Sequence, residues 1–381
     1  MDYGLSEGQE MLKKTARDFF IAECPKKLVR EMAKDDKGYT PELWRKMADL
    51  GWIGLAFPEK HGGTGGSFLD LAVLLEEMGH ACLPGPFLST AVLGGMTILE
   101  AGNEKQKQEL LSKIAEGNLI VTLALTEPEG GYDVDKVTVE AVVDGNNYVI
   151  SGTKLFVPDA HIADYIICAA KTTKGVTLFL VDNKSPGINC TLLKTIAGDK
   201  QCEVLFDKVR VPKENVLGKE GQGHIQLQAV LRKAAVAKCA EMVGGAQQVL
   251  EMTVDYVKDR KQFGVPVGSF QAVQHHCANM MTDIAISRFL TYKAAWKISQ
   301  EFPCVKEVAM AKAWVSDAYT RVTLLGHQCI GGVAFIEDHD LPLYSKRAKV
   351  AEIAFGDGDF HREVVAQELL CFNGSRTASF R

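Results

Sequence analysis

The 381-residue chain has no CxxC pair, no Cys/His spacing suited to a tetrahedral zinc site and no excess of positive charge. Ten cysteines lie far apart between Cys24 and Cys371, the pattern of reduced, mostly buried thiols in a cytoplasmic protein rather than of a disulfide framework. A formal net charge of -5 and a pI near 6.0, with Lys and Arg scattered, leave no basic field for a polyanion, so nucleic acid is not an expected partner. No stretch approaches the roughly 18 uninterrupted apolar residues of a membrane span. The opening segment MDYGLSEGQEMLKK lacks a basic region followed by an apolar run, so neither secretion nor membrane insertion is expected.

What is present is ordinary globular material, 46% hydrophobic and 24% charged, long enough for two or three domains that each bury a core. Residues 1–118 read as helical. Ser6 and Gln9 are spaced as a capping box, and Met11, Leu12, Ala16, Phe19 and Phe20 share a face up to Pro25. Further helices are predicted over 41–50, 68–81, 88–101 and 104–116, separated by Gly- or Pro-containing loops. From residue 119 the texture changes to short β-branched runs such as LIVTLAL, DYIICAA and VTLFLVD, punctuated by turns such as Asp144-Gly145, which predicts an antiparallel β-barrel domain over 119–223. Helical periodicity returns over 224–381, with long segments near 225–259, 270–300 and 303–326 and a last helix near 358–370. Helices, then strands, then helices, without a repeated βαβ unit, predict an α+β chain and disfavour a Rossmann fold.

Four motifs stand out in order along the chain. Leu125-Thr126-Glu127-Pro128-Glu129-Gly130-Gly131-Tyr132-Asp133 closes the first strand and by chemistry alone is a polar turn. Gly152-Thr153-Lys154-Leu155-Phe156-Val157-Pro158 by itself is a strand. Arg260-Lys261-Gln262-Phe263-Gly264, with Phe270-Gln271 downstream, follows a long helix, where an Arg either meets the helix dipole or offers paired donors to a diphosphate. Gln328-Cys329-Ile330-Gly331-Gly332-Val333-Ala334-Phe335 carries a Gly-Gly pair, a plain turn unless a phosphate must approach the backbone. His275-His276 and His339 read as structural.

Taken together the four motifs resemble the acyl-CoA dehydrogenase family. The resemblance implies an N-terminal helical domain, a middle β domain and a C-terminal helical bundle. It implies FAD held by Leu125, Thr126, Phe156, Pro158, Arg260, Phe263, Phe270, Gln271, Gln328, Gly331 and Gly332. Tyr132, Phe355 and Gly356 would face the substrate, an acyl-CoA thioester whose α-proton passes to a carboxylate while the β-hydrogen leaves as hydride to flavin N5. Electrons would pass on to an electron-transferring flavoprotein, and the assembly would be a homotetramer or a heterotetramer with a homologous subunit.

The sequence departs from that pattern at the base. Phe355 occupies the usual Glu position and Ala234 the alternative one, while Tyr132 and Pro158 replace a Ser and a Thr beside the flavin. Asp357, Asp359 and Glu241 are the carboxylates near enough in sequence to serve instead, with helix capping or solvent exposure as their plain reading. Two other readings stay open. One is a subunit whose base comes from a homologous partner: the run Ile336-Glu337-Asp338-His339-Asp340-Leu341, followed by Phe355-Gly356-Asp357 and His361-Arg362-Glu363, resembles a branch of the family with paired subunits. The other is a flavoprotein that eliminates carboxylate or sulfinate and needs no base.

Overall fold

The computed structural model describes residues 4–371. Contacts divide the chain into two compact units. Among the described residues, one contains 4–26, 68–83 and 235–371; the other contains 27–67 and 84–234. The N-terminal helices are therefore shared between two cores.

In the first unit, helix Glu7–Glu23 begins with the predicted capping box: Ser6 accepts from Gln9 N–H while the Gln9 side chain accepts from Ser6 N–H. It packs on Phe68–Ala81, whose buried Glu76 and Glu77 meet Lys13, Arg17, Arg288 and Tyr292. The long helices Gln271–Ser299 and Val305–Ile330 agree with the predicted segments to within a few residues, and a shorter helix, Gly358–Cys371, is the last described element. Two helices went unpredicted, Lys26–Lys34 and Leu341–Ile353. The latter starts at a proline, which suits the first turn of a helix, and its charges mask the apolar stripe of Leu341, Tyr344, Ala348 and Ala351.

The second unit contains an eight-stranded sheet: β1 (Val121–Ala124), β2 (Glu140–Asp144), β3 (Asn147–Pro158), β4 (Tyr165–Thr172), β5 (Gly175–Asp182), β6 (Ile188–Leu193), β7 (Gln201–Pro212) and β8 (Val216–Leu217). The strand order is β6-β7-β3-β2-β4-β5-β8, with β1 added on β4. The prediction of an antiparallel domain needs one correction, because β1 and β2 both pair with β4 in parallel. Alternation along β7 buries Cys202, Val204, Phe206, Val209 and Val211 against Ile150, Ile166 and Phe179. The predicted helix over 88–101 is a buried π-helix, Leu88–Gly95, that continues as the α-helix Met96–Ala101.

Candidate functional site

The first two motifs converge in the second unit. Pro128 and the glycines after it end the extended run of β1, and the chain folds back on β3, where Leu155 N–H donates to Thr126 O (2.9 Å) and Thr122 Oγ1 to Pro158 O (2.6 Å). Beneath this junction Lys154, fully buried, donates to Leu125 O (3.0 Å) and Glu127 Oε1 (2.7 Å). Glu127 also accepts from Val139 N–H and from both the N–H and the hydroxyl of Thr138. Burial alone would raise the Glu127 pKa, but these bonds outweigh it and hold the carboxyl below its usual range. Thr126 is half-buried, and its hydroxyl has no partner among the described residues.

Phe156 lies where the β3–β7 register slips between Lys154 and Val157. Its φ of 53° is left-handed, and the ring is 55% exposed, although the residue sits within a strand. A bulge of this kind re-aims one side chain out of the sheet, and a bulky residue holds such a φ only under compensation. Pro158, two residues on, is half-buried, and Tyr132 is exposed on the turn after β1. A separate cavity of about 210 Å³ in this unit, lined by Arg45, Gly54, Thr64 and neighbours, involves none of the motif residues.

The remaining motifs lie in the first unit. Arg260 ends the helix Gly223–Asp259, and its exposed guanidinium has no partner among the described residues. A two-residue ladder, Lys261–Gln262 against Val265–Pro266, turns the chain through Phe263 and Gly264, both left-handed. Phe263 is 92% exposed and meets Phe270 edge to face at 6.2 Å, just before Gln271 opens its helix. The Cys277 and Cys329 thiols hydrogen-bond, which sets that helix beside Gln328; burial pushes the Cys329 thiol up to about 11. At Gly331 the chain adopts φ 79° and ψ -151°, closed to residues with a Cβ, and nothing lies within 4 Å of a Cβ built on Gly331 or Gly332. Arg260 and Gln328 are both exposed, and the backbone at Gly331 and Gly332 is bare. No bond among the described residues joins Arg260 to the other two.

Phe355 follows the helix Leu341–Ile353 and is left-handed at φ 59°, as is Gly356 at φ 100°. Of the three carboxylates singled out in the sequence, Asp357 is half-buried and its Oδ1 accepts Phe360 N–H (2.8 Å), capping the Gly358–Cys371 helix. Asp359 is almost wholly exposed and bonded to Arg362, and Glu241 pairs with Lys238 (2.5 Å). Ala234 is buried. Two further residues touch the Phe355 turn, Lys312, which the sequence reading passed over, and His361, which it noted only within the run that resembles a paired subunit. Lys312, fully buried, donates to Glu352 O, Gly356 O and Ser316 Oγ, each at 2.9 Å; His361 Nε2 donates to Phe355 O at 2.9 Å. Burial pulls Lys312 down to about 8 and His361 to about 4. The only sequence signal for Lys312 is a lone cation in the apolar run Ala309-Met310-Ala311-Lys312-Ala313.

Family models described as acyl-CoA dehydrogenase N-terminal, middle and C-terminal domains match residues 6–118, 122–209 and 221–370. The chain is 33% identical to the acryloyl-CoA reductase (NADH) of Anaerotignum propionicum, over 97% of this chain and 96% of that protein. Its fold matches butyryl-CoA dehydrogenase from Megasphaera elsdenii with a TM-score of 0.90 and 30% identity, covering 97% and 100% of the two chains. The FAD complex of PigA matches with a TM-score of 0.91 and 26% identity, over 97% and 99%. With its four motifs placed at strand, turn and helix ends, and with similarity running through all three domains, the chain belongs to the acyl-CoA dehydrogenase family.

Proposed function

We propose that this chain binds FAD and an acyl-CoA thioester and exchanges hydrogen across the Cα–Cβ bond of the acyl group. The observation that carries the reading is the locked β1–β3 junction, which holds the exposed Phe156 ring and the free Thr126 hydroxyl on one scaffold. Phe156, Pro158, Leu125 and Thr126 would hold the ring system. Arg260, Gln271, Gln328 and the Gly331–Gly332 backbone would hold the diphosphate and adenosine, with Phe263 and Phe270 as apolar cover. Bound FAD supplies a hydride acceptor or donor at N5.

The chain itself must move the α-proton. Phe355 and Ala234 cannot, and among the remaining candidates Asp357 is favoured: it is partly sheltered, and the Phe360 N–H fixes its orientation. Asp359 faces water in an ion pair and Glu241 is neutralised by Lys238, so both rank below it. The relative named as a reductase suggests that the same carbon–carbon bond can be worked in the reducing direction, in which the base becomes the acid. Tyr132 and Gly356 would line the acyl end. An electron-transferring flavoprotein is the proposed redox partner and a tetramer the proposed assembly. The test is an anaerobic titration of the flavin-loaded chain with short acyl-CoAs. Bleaching of the flavin band is expected, and Asp357→Asn should slow it about 100-fold or more while retaining the cap through its amide oxygen.

A second reading, a subunit that borrows its base from a homologous partner, is favoured by the apolar residues at both usual base positions. A chain that gains bleaching only when mixed with such a partner, unaffected by Asp357→Asn, would establish it. Release of carbon dioxide or sulfite without net flavin reduction would point to elimination.

A further inference from the structure

We propose that Lys312 and His361 are positioning residues: clamped from two helices, the Phe355–Gly356 turn is a rigid mount that aims the side chain at position 355 toward the reacting acyl carbon. The inference rests on the acyl-CoA reading given above and adds to it how the mount is held.

The turn is expensive to form. Two successive residues are left-handed, one of them a phenylalanine, for which this conformation is unfavourable by about 1–2 kcal/mol. Such a conformation persists only where the surroundings over-determine it. Here the carbonyls before and within the turn are taken by two side chains, one about forty residues away in sequence and one six residues on. Lys312, from helix Val305–Ile330, reaches Glu352 O at the end of the preceding helix and Gly356 O within the turn. His361, from helix Gly358–Cys371, reaches Phe355 O. A carbonyl only accepts, so Nε2 carries the histidine proton, and Nδ1 is left as a buried acceptor without a partner among the described residues. Gly356 cannot carry a side chain, because a Cβ would come within 2.6 Å of His361 Nε2 and of the Phe360 ring.

Lys312 shows that this is more than ordinary helix termination. Its ammonium has no ion-pair partner among the described residues, although it is fully buried, and all three of its donors are committed, two of them to carbonyls bracketing the turn. Burying an unpaired cation to fix two carbonyls is far costlier than leaving them to water. The Phe355 ring itself is half-buried, so what the clamp holds still is the direction in which that side chain leaves the turn. A phenylalanine on this mount supplies shape and desolvation without a proton-accepting head.

The experiment restores a head and then loosens the mount, in the full-length, flavin-loaded chain. In Asp357→Asn, which removes the favoured native base, Phe355→Glu is added and bleaching by butyryl-CoA is followed in stopped flow. The expected result is a gain of about 100-fold or more in bleaching rate over Asp357→Asn alone. Adding His361→Leu should then cut the rate about tenfold or more, with half-saturation by butyryl-CoA unchanged, because the carboxylate is present but no longer held. His361→Gln, whose amide N–H can still reach the same carbonyl, should keep most of the rate. The flavin spectrum of each variant reports that it has folded. Equal rates for the Leu and Gln variants would overturn the proposal. So would a Phe355→Glu variant that binds flavin and butyryl-CoA yet does not bleach. If no variant, nor the unmodified chain, binds flavin or responds to any acyl-CoA, the acyl-CoA reading fails first and takes the positioning role with it.

Discussion

Lys154 and Lys312 are both fully buried, yet they are satisfied in opposite ways. Lys154 meets a carboxylate, Glu127, which is itself held by Thr138 and Val139, so a closed set of charges and donors joins the first two motifs. Lys312 meets two carbonyls and a hydroxyl, and its charge has no counter-ion among the described residues. The contrast is between a lock and a clamp. At the β1–β3 junction the Lys154 and Thr138 bonds outweigh burial and hold the Glu127 carboxyl below its usual range. At the Phe355 turn, unpaired burial lowers the affinity of Lys312 for its proton to within reach of mild alkali.

The largest expected effect comes from opening the lock. Glu127→Gln leaves Lys154 buried without its counter-charge and should destabilise the chain by about 3–5 kcal/mol in chemical denaturation, with loss of flavin retention. A stability change under about 1 kcal/mol would mean that water reaches the pair.

Next in size is Lys312→Met, which leaves the Glu352 and Gly356 carbonyls without their donor but also removes a poorly solvated cation, for a net loss of about 1–3 kcal/mol. Its pH signature is sharper. The Lys312 pKa is about 8 in the folded chain and near the ordinary lysine value of 10.5 when unfolded, so over that interval the unfolded state holds the extra proton. Wild-type stability should therefore gain from this residue as pH rises from about 8 to 10.5, and the Met variant should lack that gain. The smallest effect belongs to His361, whose pKa falls from 6.5 to about 4 on folding. Its folded form resists protonation, so stability drains as pH falls from 6.5 toward 4, by about 1 kcal/mol between pH 6 and 5; His361→Gln should flatten that slope in pH-dependent denaturation.

Much of this was legible in the chain alone, for local reasons. The Ser6–Gln9 capping box, the Gly331 turn and the β-branched runs of β4 and β5 are decided by residues within a few positions of one another, so they read correctly. Helix Leu341–Ile353 did not, because its few apolar residues become a stripe only against the rest of its unit. The family that the four motifs mark was likewise readable. The role of Lys312 at the Phe355 turn was not, since it lies 44 positions from the carbonyl it binds.

By itself the sequence determined the succession of helices and strands, the four motifs and the absence of a carboxylate at positions 234 and 355, because each is written in neighbouring residues or in a residue's own chemistry. Only the tertiary structure decided that β1 runs parallel to β4, that Asp357 caps a helix, and that one buried lysine is matched by charge while the other is matched by carbonyls. A hydrogen bond is specified by where its two ends meet in space, and for ends separated by tens of residues that meeting is set by how the cores pack.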